Sequence, residues 1–247
     1  MALEAGGLTV AAHTELVLIR HGEAERGLAD RDRGDPWLSA RGREQAQRVA
    51  EELAHDHVDA VYSSTLRRAV ETSEPFCVAR GVEPALREGL AEFDRGSGEY
   101  MFFEDLRRNN DPRYFACMNG DLSPWGTTFE TFRDDAMRTL NEIVAAHAGQ
   151  RIAIFCHGGV LNVVFGHVLG VPRMWFFFPD NGAIGRIAVN AKGRMRVLTM
   201  NERAHLRGLA TQHPNPQSST VHSQNAVATD PLPPVVRIKD IGRSPGF

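Results

Sequence analysis

Residues 15–22 read ELVLIRHG, and residues 151–159 read RIAIFCHGG. Each is a short apolar run rich in branched side chains that stops at a histidine and a glycine, the pattern of a buried strand ending in a tight loop. Strand ends of this kind are where α/β proteins collect their chemistry. Outward from them, helical and extended patterns alternate. Ser39 precedes a helix with Ala46, Val49, Ala50 and Leu53 on one face, which makes it the N-cap. VDAVYSS, 58–64, is a further strand, and a helix over about 65–79 buries Leu66, Ala69, Phe76 and Cys77 in spite of Pro75, stopping near Gly81.

Phe129, Phe132, Ala136, Leu140, Ile143 and Val144 recur at helical spacing, predicting a helix over 127–147 ended by Gly149; GGVLNVVFGHVLG, from Gly158, opens another. Strands at 183–190 and 193–199 form an edge hairpin around Asn190 to Gly193. This alternation predicts an α/β fold, a three-layer α/β/α sandwich around a mostly parallel central sheet. Two stretches break the rhythm. Residues 97–126 set Phe102, Phe103, Tyr114, Phe115 and Trp125 among Arg107, Arg108 and Arg113. They are too long and aromatic for a connector, so they read as a lid or insertion. Such a segment serves equally as a packed cover, as a contact between copies in a homo-oligomer, or as a pocket wall. Residues 211–234 hold five prolines and no aromatic residue, a composition that packs no core alone and reads as a tail or strap.

The composition narrows the function classes. Of 247 residues, 42% are hydrophobic and 24% charged, ordinary for a globular chain. With 28 Lys and Arg against 31 Asp and Glu, the net charge of −3 offers no broad basic field for nucleic acid or an anionic membrane. No apolar stretch reaches the roughly 18 residues that span a bilayer. Cys77, Cys117 and Cys156 are an odd number at wide spacing, which favours a reducing compartment over a disulfide framework. Glu4, with no Lys or Arg before Arg20, lacks the basic start of a secretory signal. A cytoplasmic protein is the expectation.

Two histidines at strand ends beside an arginine and paired glycines suit a phosphate. Arginine is a rigid fork of donors, neutral imidazole attacks phosphorus, and the N–H groups opening a helix after His157 favour an anion. The chain resembles the histidine phosphatase superfamily, also called the phosphoglycerate mutase-like family. Its Arg-His-Gly motif is matched by Arg20, His21 and Gly22. Its serine-rich strand end leading to an arginine is matched by SSTLRRAVET, 63–72, which selects Arg68 with Ala69 and Thr72 and leaves Arg67 a neighbour. Glu92, Gly96 and Glu99 match its acidic motif, and His157, Gly158 and Gly159 its His-Gly-Gly motif. Asn181, in FPDNGAIGRI, and LSARGREQA, 38–46, are lesser matches.

The resemblance implies a phosphoglycerate mutase-like domain over 1–204, with 97–126 lying over the active site and 205–247 as tail or strap. It implies a metal-independent phosphatase that hydrolyses a small phosphomonoester, with His21 as nucleophile and a phosphohistidine intermediate. Arg20, Arg68 and His157, with Gly158 and Asn181, would hold the phosphoryl group, and Glu92 would be general acid and base. Neither cofactor nor metal is implied, and the partner would be a small phosphorylated metabolite. Each residue also has an ordinary reading: a hydrogen-bonded strand-end histidine, a surface arginine, or one of several solvated acids, since Glu88, Asp94 and Glu99 stand near Glu92.

Three departures bear on the reading. Ala24 and Gly27 replace residues that touch phosphate in many members. Tyr100 stands where glycine is common. The Trp-Asn signature of cofactor-dependent phosphoglycerate mutases is missing. A phosphomutase, a non-catalytic phosphate-binding regulatory protein and a two-histidine metallohydrolase are the alternatives.

Overall fold

Strand β1 (Thr14–Arg20) occupies the middle of the sheet because both its faces are apolar: Leu16, Val17, Leu18 and Ile19 are all fully buried. Each such side chain contributes roughly 1.5–3 kcal/mol on leaving water. The computed structural model describes residues 13–29 and 32–209. Among these, β2 (Ala60–Ser64), β3 (Ala85–Arg87), β4 (Arg151–Cys156), β5 (Ile184–Val189) and β6 (Met195–Glu202) complete a mixed sheet in the order β3-β2-β4-β1-β5-β6. The first four of that order run parallel, β5 is antiparallel to β1, and β6 pairs antiparallel with β5 in a hairpin.

Successive strand side chains point to opposite faces, and the two faces build separate cores. Leu16, Leu18, Ile152 and Ile154 pack with α5 (Phe129–Ala146) and α6 (Gly158–Leu169) through Leu140, Ile143, Leu161 and Val164. Val17, Ile19, Ala153 and Phe155 pack with α1 (Ala40–Glu52) and α2 (Arg67–Arg80) through Val49, Leu53 and Phe76. The result is the expected three layers.

Several local signals act as read. Ser39 caps α1, its Oγ accepting the N–H of Gly42 at 3.0 Å, and α2 runs through Pro75 to stop at Gly81 in the left-handed conformation. Helix α5 ends at His147, two residues before Gly149, which lies in the turn and donates its N–H to Thr14 Oγ1 at 2.9 Å. The three residues of β3 were not anticipated. They are too few to show a period and are defined by pairing with β2.

The segment 97–126 forms α3 (Phe103–Arg108), α4 (Pro112–Met118) and a 3₁₀ turn at Ser123–Trp125. Met101, Leu106, Cys117, Leu122 and Trp125 bury into the α5-α6 side of the core. Residues 205–209 of the expected tail are described, and Leu206 there is buried beside the Gly182 turn. The rest of that tail, 210–247, lies outside the described residues. No helix among the described residues is long and apolar enough to cross a membrane.

The parallel trio β2-β4-β1 positions the site. Its strands run the same way, so their C-terminal ends share one edge: Ser63 pairs with Phe155 and Arg20 with Cys156, and the His21 N–H donates to the Cys156 carbonyl at 3.0 Å. Ser64, His157 and His21 therefore leave the sheet side by side.

Candidate active site

The loop after β1 lies on the start of α1 with no room for side chains. A Cβ on Gly22 would stand 2.5 Å from the Gly42 carbonyl oxygen, and one on Gly42 would stand 2.1 Å from that of Glu23. The Gly22 N–H donates to Thr72 Oγ1 at 2.9 Å, and the Thr72 hydroxyl donates to the Arg68 carbonyl at 2.6 Å. The His21 loop is thus tied to the first turn of α2. His21 is buried, with Nδ1 2.7 Å from the Gly22 carbonyl oxygen. A carbonyl only accepts, so Nδ1 carries the proton and Nε2 keeps its lone pair. Burial, then the charges of Arg68 and Arg20, lower the His21 pKa well below the ordinary histidine value, so the ring is neutral at pH 7.

His157 is fully buried, its ring centroid 5.0 Å from that of His21. Its Nε2 lies 2.7 Å from Ser64 Oγ, which also accepts the Leu66 N–H at 3.1 Å. Burial, Arg68, His21 and Arg20 in turn hold its pKa well below the ordinary value. Arg68 is fully buried. One nitrogen, Nη2, lies 3.3 Å from Asp94 Oδ1, a more distant one, Nη1, lies 3.9 Å from Asp35, and the guanidinium sits 4.5 Å from the Tyr100 ring centroid. Arg20 spends Nη1 on the Pro179 carbonyl at 2.5 Å. Among the described residues, five buried side-chain polar atoms have no hydrogen-bond partner, and four are Arg20 Nε, Arg68 Nε, Arg68 Nη1 and His157 Nδ1. Buried donors are almost always satisfied in folded proteins, so a cluster of orphans marks a place built for an acceptor.

Glu92 is buried and accepts two backbone N–H groups, that of Gly159 at 2.8 Å and that of Phe93 at 3.3 Å. Burial first, and the neighbouring Asp94 second, raise its pKa to about 7 against these hydrogen bonds and Arg68. Its titration is thereby moved towards neutral pH, as an acid that both gives and takes a proton requires. Gly158 brings the first N–H of α6 to the same corner, 3.6 Å separating its Cβ position from Arg20 Nε. Asn181 uses its amide to donate to the His21 carbonyl at 3.0 Å, fixing the loop. Ala24 is buried and bridged to Leu38 through the backbone, and Gly27 takes a positive φ; neither has a side-chain donor to offer.

With this geometry in view, the family model of the histidine phosphatase superfamily (branch 1) matches residues 16–203. The chain belongs to that superfamily. Phosphoserine phosphatase 1 of Hydrogenobacter thermophilus is 28% identical over 78% of this chain and 94% of its own length. The adenosylcobalamin/alpha-ribazole phosphatase of Escherichia coli is 31% identical over 76% of this chain and 96% of its own length. The crystal structure of a phosphoserine phosphatase mutant from Entamoeba histolytica in complex with phosphoserine superposes with a TM-score of 0.64 at 27% identity, covering 78% of this chain and 99% of that one.

Some neighbours of this histidine phosphatase site carried no signal in the chain order. Asp94 was one acid among several, and only folding sets it against Arg68. Ser64 was read as a strand end, and its contact to His157 spans 93 positions. Trp175, in the run WFFFP at 175–179, is held by Cys117 through a contact that spans 58 positions.

Proposed function

We infer that this histidine phosphatase hydrolyses a small phosphomonoester through a phosphohistidine on His21. The observation that carries the reading is the cluster of four orphaned nitrogen atoms beside a neutral imidazole whose tautomer leaves Nε2 free. Arg20 Nε and both free Arg68 nitrogens take phosphoryl oxygens. The Ser64 hydroxyl donates to His157 Nε2, so the opposite Nδ1–H also reaches the phosphoryl group. The His21 Nε2 lone pair attacks phosphorus, the ester P–O bond breaks, and the departing oxygen takes the proton of Glu92. The Glu92 carboxylate then takes a proton from water, whose oxygen attacks phosphorus. The P–N bond breaks, and its electron pair returns to Nε2.

The charge that develops on the phosphoryl oxygens meets donors already in place, with no reorganisation at the moment of transfer. Two guanidiniums here do what a cation does elsewhere, so turnover is expected to survive a chelator. The three cysteines are free and buried, which suits a reducing, cytoplasmic setting. The test is His21→Ala with p-nitrophenyl phosphate. Loss of phosphate release, together with an acid-labile phosphoryl group trapped on the His21 peptide of the wild type, supports the reading; undiminished turnover in the variant overturns it.

A further inference from the structure

Gly158 and Gly159 open α6 against the phosphoryl site, and different groups crowd their bare α-carbons. A Cβ on Gly159 would meet Glu92 Oε1 at 2.1 Å and Met174 Cε at 3.0 Å. One on Gly158 would meet Arg20 Nε at 3.6 Å and the six-membered ring of Trp175 at 3.7 Å. The acid, a phosphate-facing guanidinium and two apolar side chains therefore share one corner. Glu92 has to reach the ester oxygen, so the carbon bonded to that oxygen is delivered beside Trp175 and Met174.

Trp175 is well held. Its Nε1–H donates to Cys117 Sγ at 3.1 Å, and the rings of Phe103 and Phe93 meet it edge-on at 5.3 and 6.4 Å. Phe178 stacks on it at 5.7 Å with the planes 4° apart, and Phe178 is 53% exposed. A continuous aromatic path thus leads from the acid to solvent. Two arginines of this region are engaged by acids: Arg26 pairs with Asp105 at 2.5 Å, and Arg113 with Asp111 at 2.7 Å and Glu99 at 3.7 Å.

We propose that Trp175 and Phe178 form the leaving-group subsite, and that the preferred substrates are phosphoesters whose alcohol carries an aromatic ring close to the ester oxygen. A compact charged alcohol, as in phosphoserine, gains nothing from this wall. The inference rests on the phosphomonoesterase reading above and adds the substrate class to it.

The experiment compares benzyl phosphate with phosphoserine on the full chain. Both esters release an alkyl alcohol that needs the acid, so their difference reports recognition and not leaving-group chemistry. Wild-type kcat/KM should favour benzyl phosphate by about ten-fold or more, the size of one good aromatic contact. Trp175→Ala should narrow that ratio by about the same factor. The half-exposed Phe178→Ala, which leaves the core intact, should raise KM for benzyl phosphate more than KM for phosphoserine. Equal kcat/KM for the two esters, or variants that lower both alike, would overturn the subsite while leaving the phosphatase reading in place. A wild type that hydrolyses no ester overturns both.

Discussion

The backbone N–H of Gly159 donates to Glu92 Oε2 at 2.8 Å, and the other oxygen, Oε1, would stand 2.1 Å from a Cβ at position 159. The bare α-carbon is thus what lets the carboxyl reach the corner. Gly159→Ala is expected to displace Glu92 and slow alkyl phosphates by about 10²-fold or more, within the range of a lost general acid. Hydrolysis of p-nitrophenyl phosphate, whose leaving group needs little protonation, should fall much less. Steady-state kinetics on both esters check this, and equal losses would mean the glycine acts on something other than the acid.

The raised Glu92 pKa makes a signed prediction for pH. Turnover of alkyl phosphates needs the protonated carboxyl, so it should decline as pH rises through about 7. His21 and His157 stay neutral well below that, so the histidines set no competing limb there. In Glu92→Gln the decline should vanish along with most of the rate. A pH series with an alkyl ester decides it.

The same shift appears in stability. Between the ordinary carboxyl value of 4.5 and about 7, folded Glu92 binds more protons than unfolded, so stability falls as pH rises across that window. Above it the full cost, about 3 kcal/mol, is present. Glu92→Gln removes this titration. Its melting temperature relative to wild type should therefore rise from pH 5 to pH 8; a difference independent of pH would contradict the burial of the charge.

Thr72 joins the Gly22 N–H to the Arg68 carbonyl. Thr72→Val keeps the shape but strands a buried N–H, at a cost of about 1–3 kcal/mol. Denaturant unfolding should show that loss, kcat should fall because the His21 loop loses its tether, and Thr72→Ser should restore both.

Arg68→Lys keeps the charge and loses the fork. A lysine ammonium cannot hold Asp94 and offer two further nitrogens in one plane. With charged hydrogen bonds worth about 1.5–3 kcal/mol each, vanadate should bind roughly 10- to 100-fold more weakly. Calorimetric titration measures it.

The sheet, its helices and the order of the motifs were legible in the chain because they rest on short-range physics. An apolar run flanked by glycine is a buried strand wherever it occurs, and Ser39 or Gly81 punctuates a helix through its own hydrogen bond or φ. The motifs at 20–22, 63–72 and 157–159 therefore point to the strand ends that carry Arg20, His21, Arg68 and His157. The partners that tune them were not legible. Asp94 beside Arg68, Ser64 beside His157, Thr72 under Gly22 and Trp175 over Gly158 are contacts across 17 to 93 positions, with residue types that are ordinary anywhere else. The sequence alone determines which strands form and which side chains stand at their ends, since backbone propensity and apolar periodicity act over a few residues. Only the tertiary structure decides which nitrogens are left without partners and which carboxyl is desolvated, because burial and electrostatic coupling depend on distances that chain order does not encode.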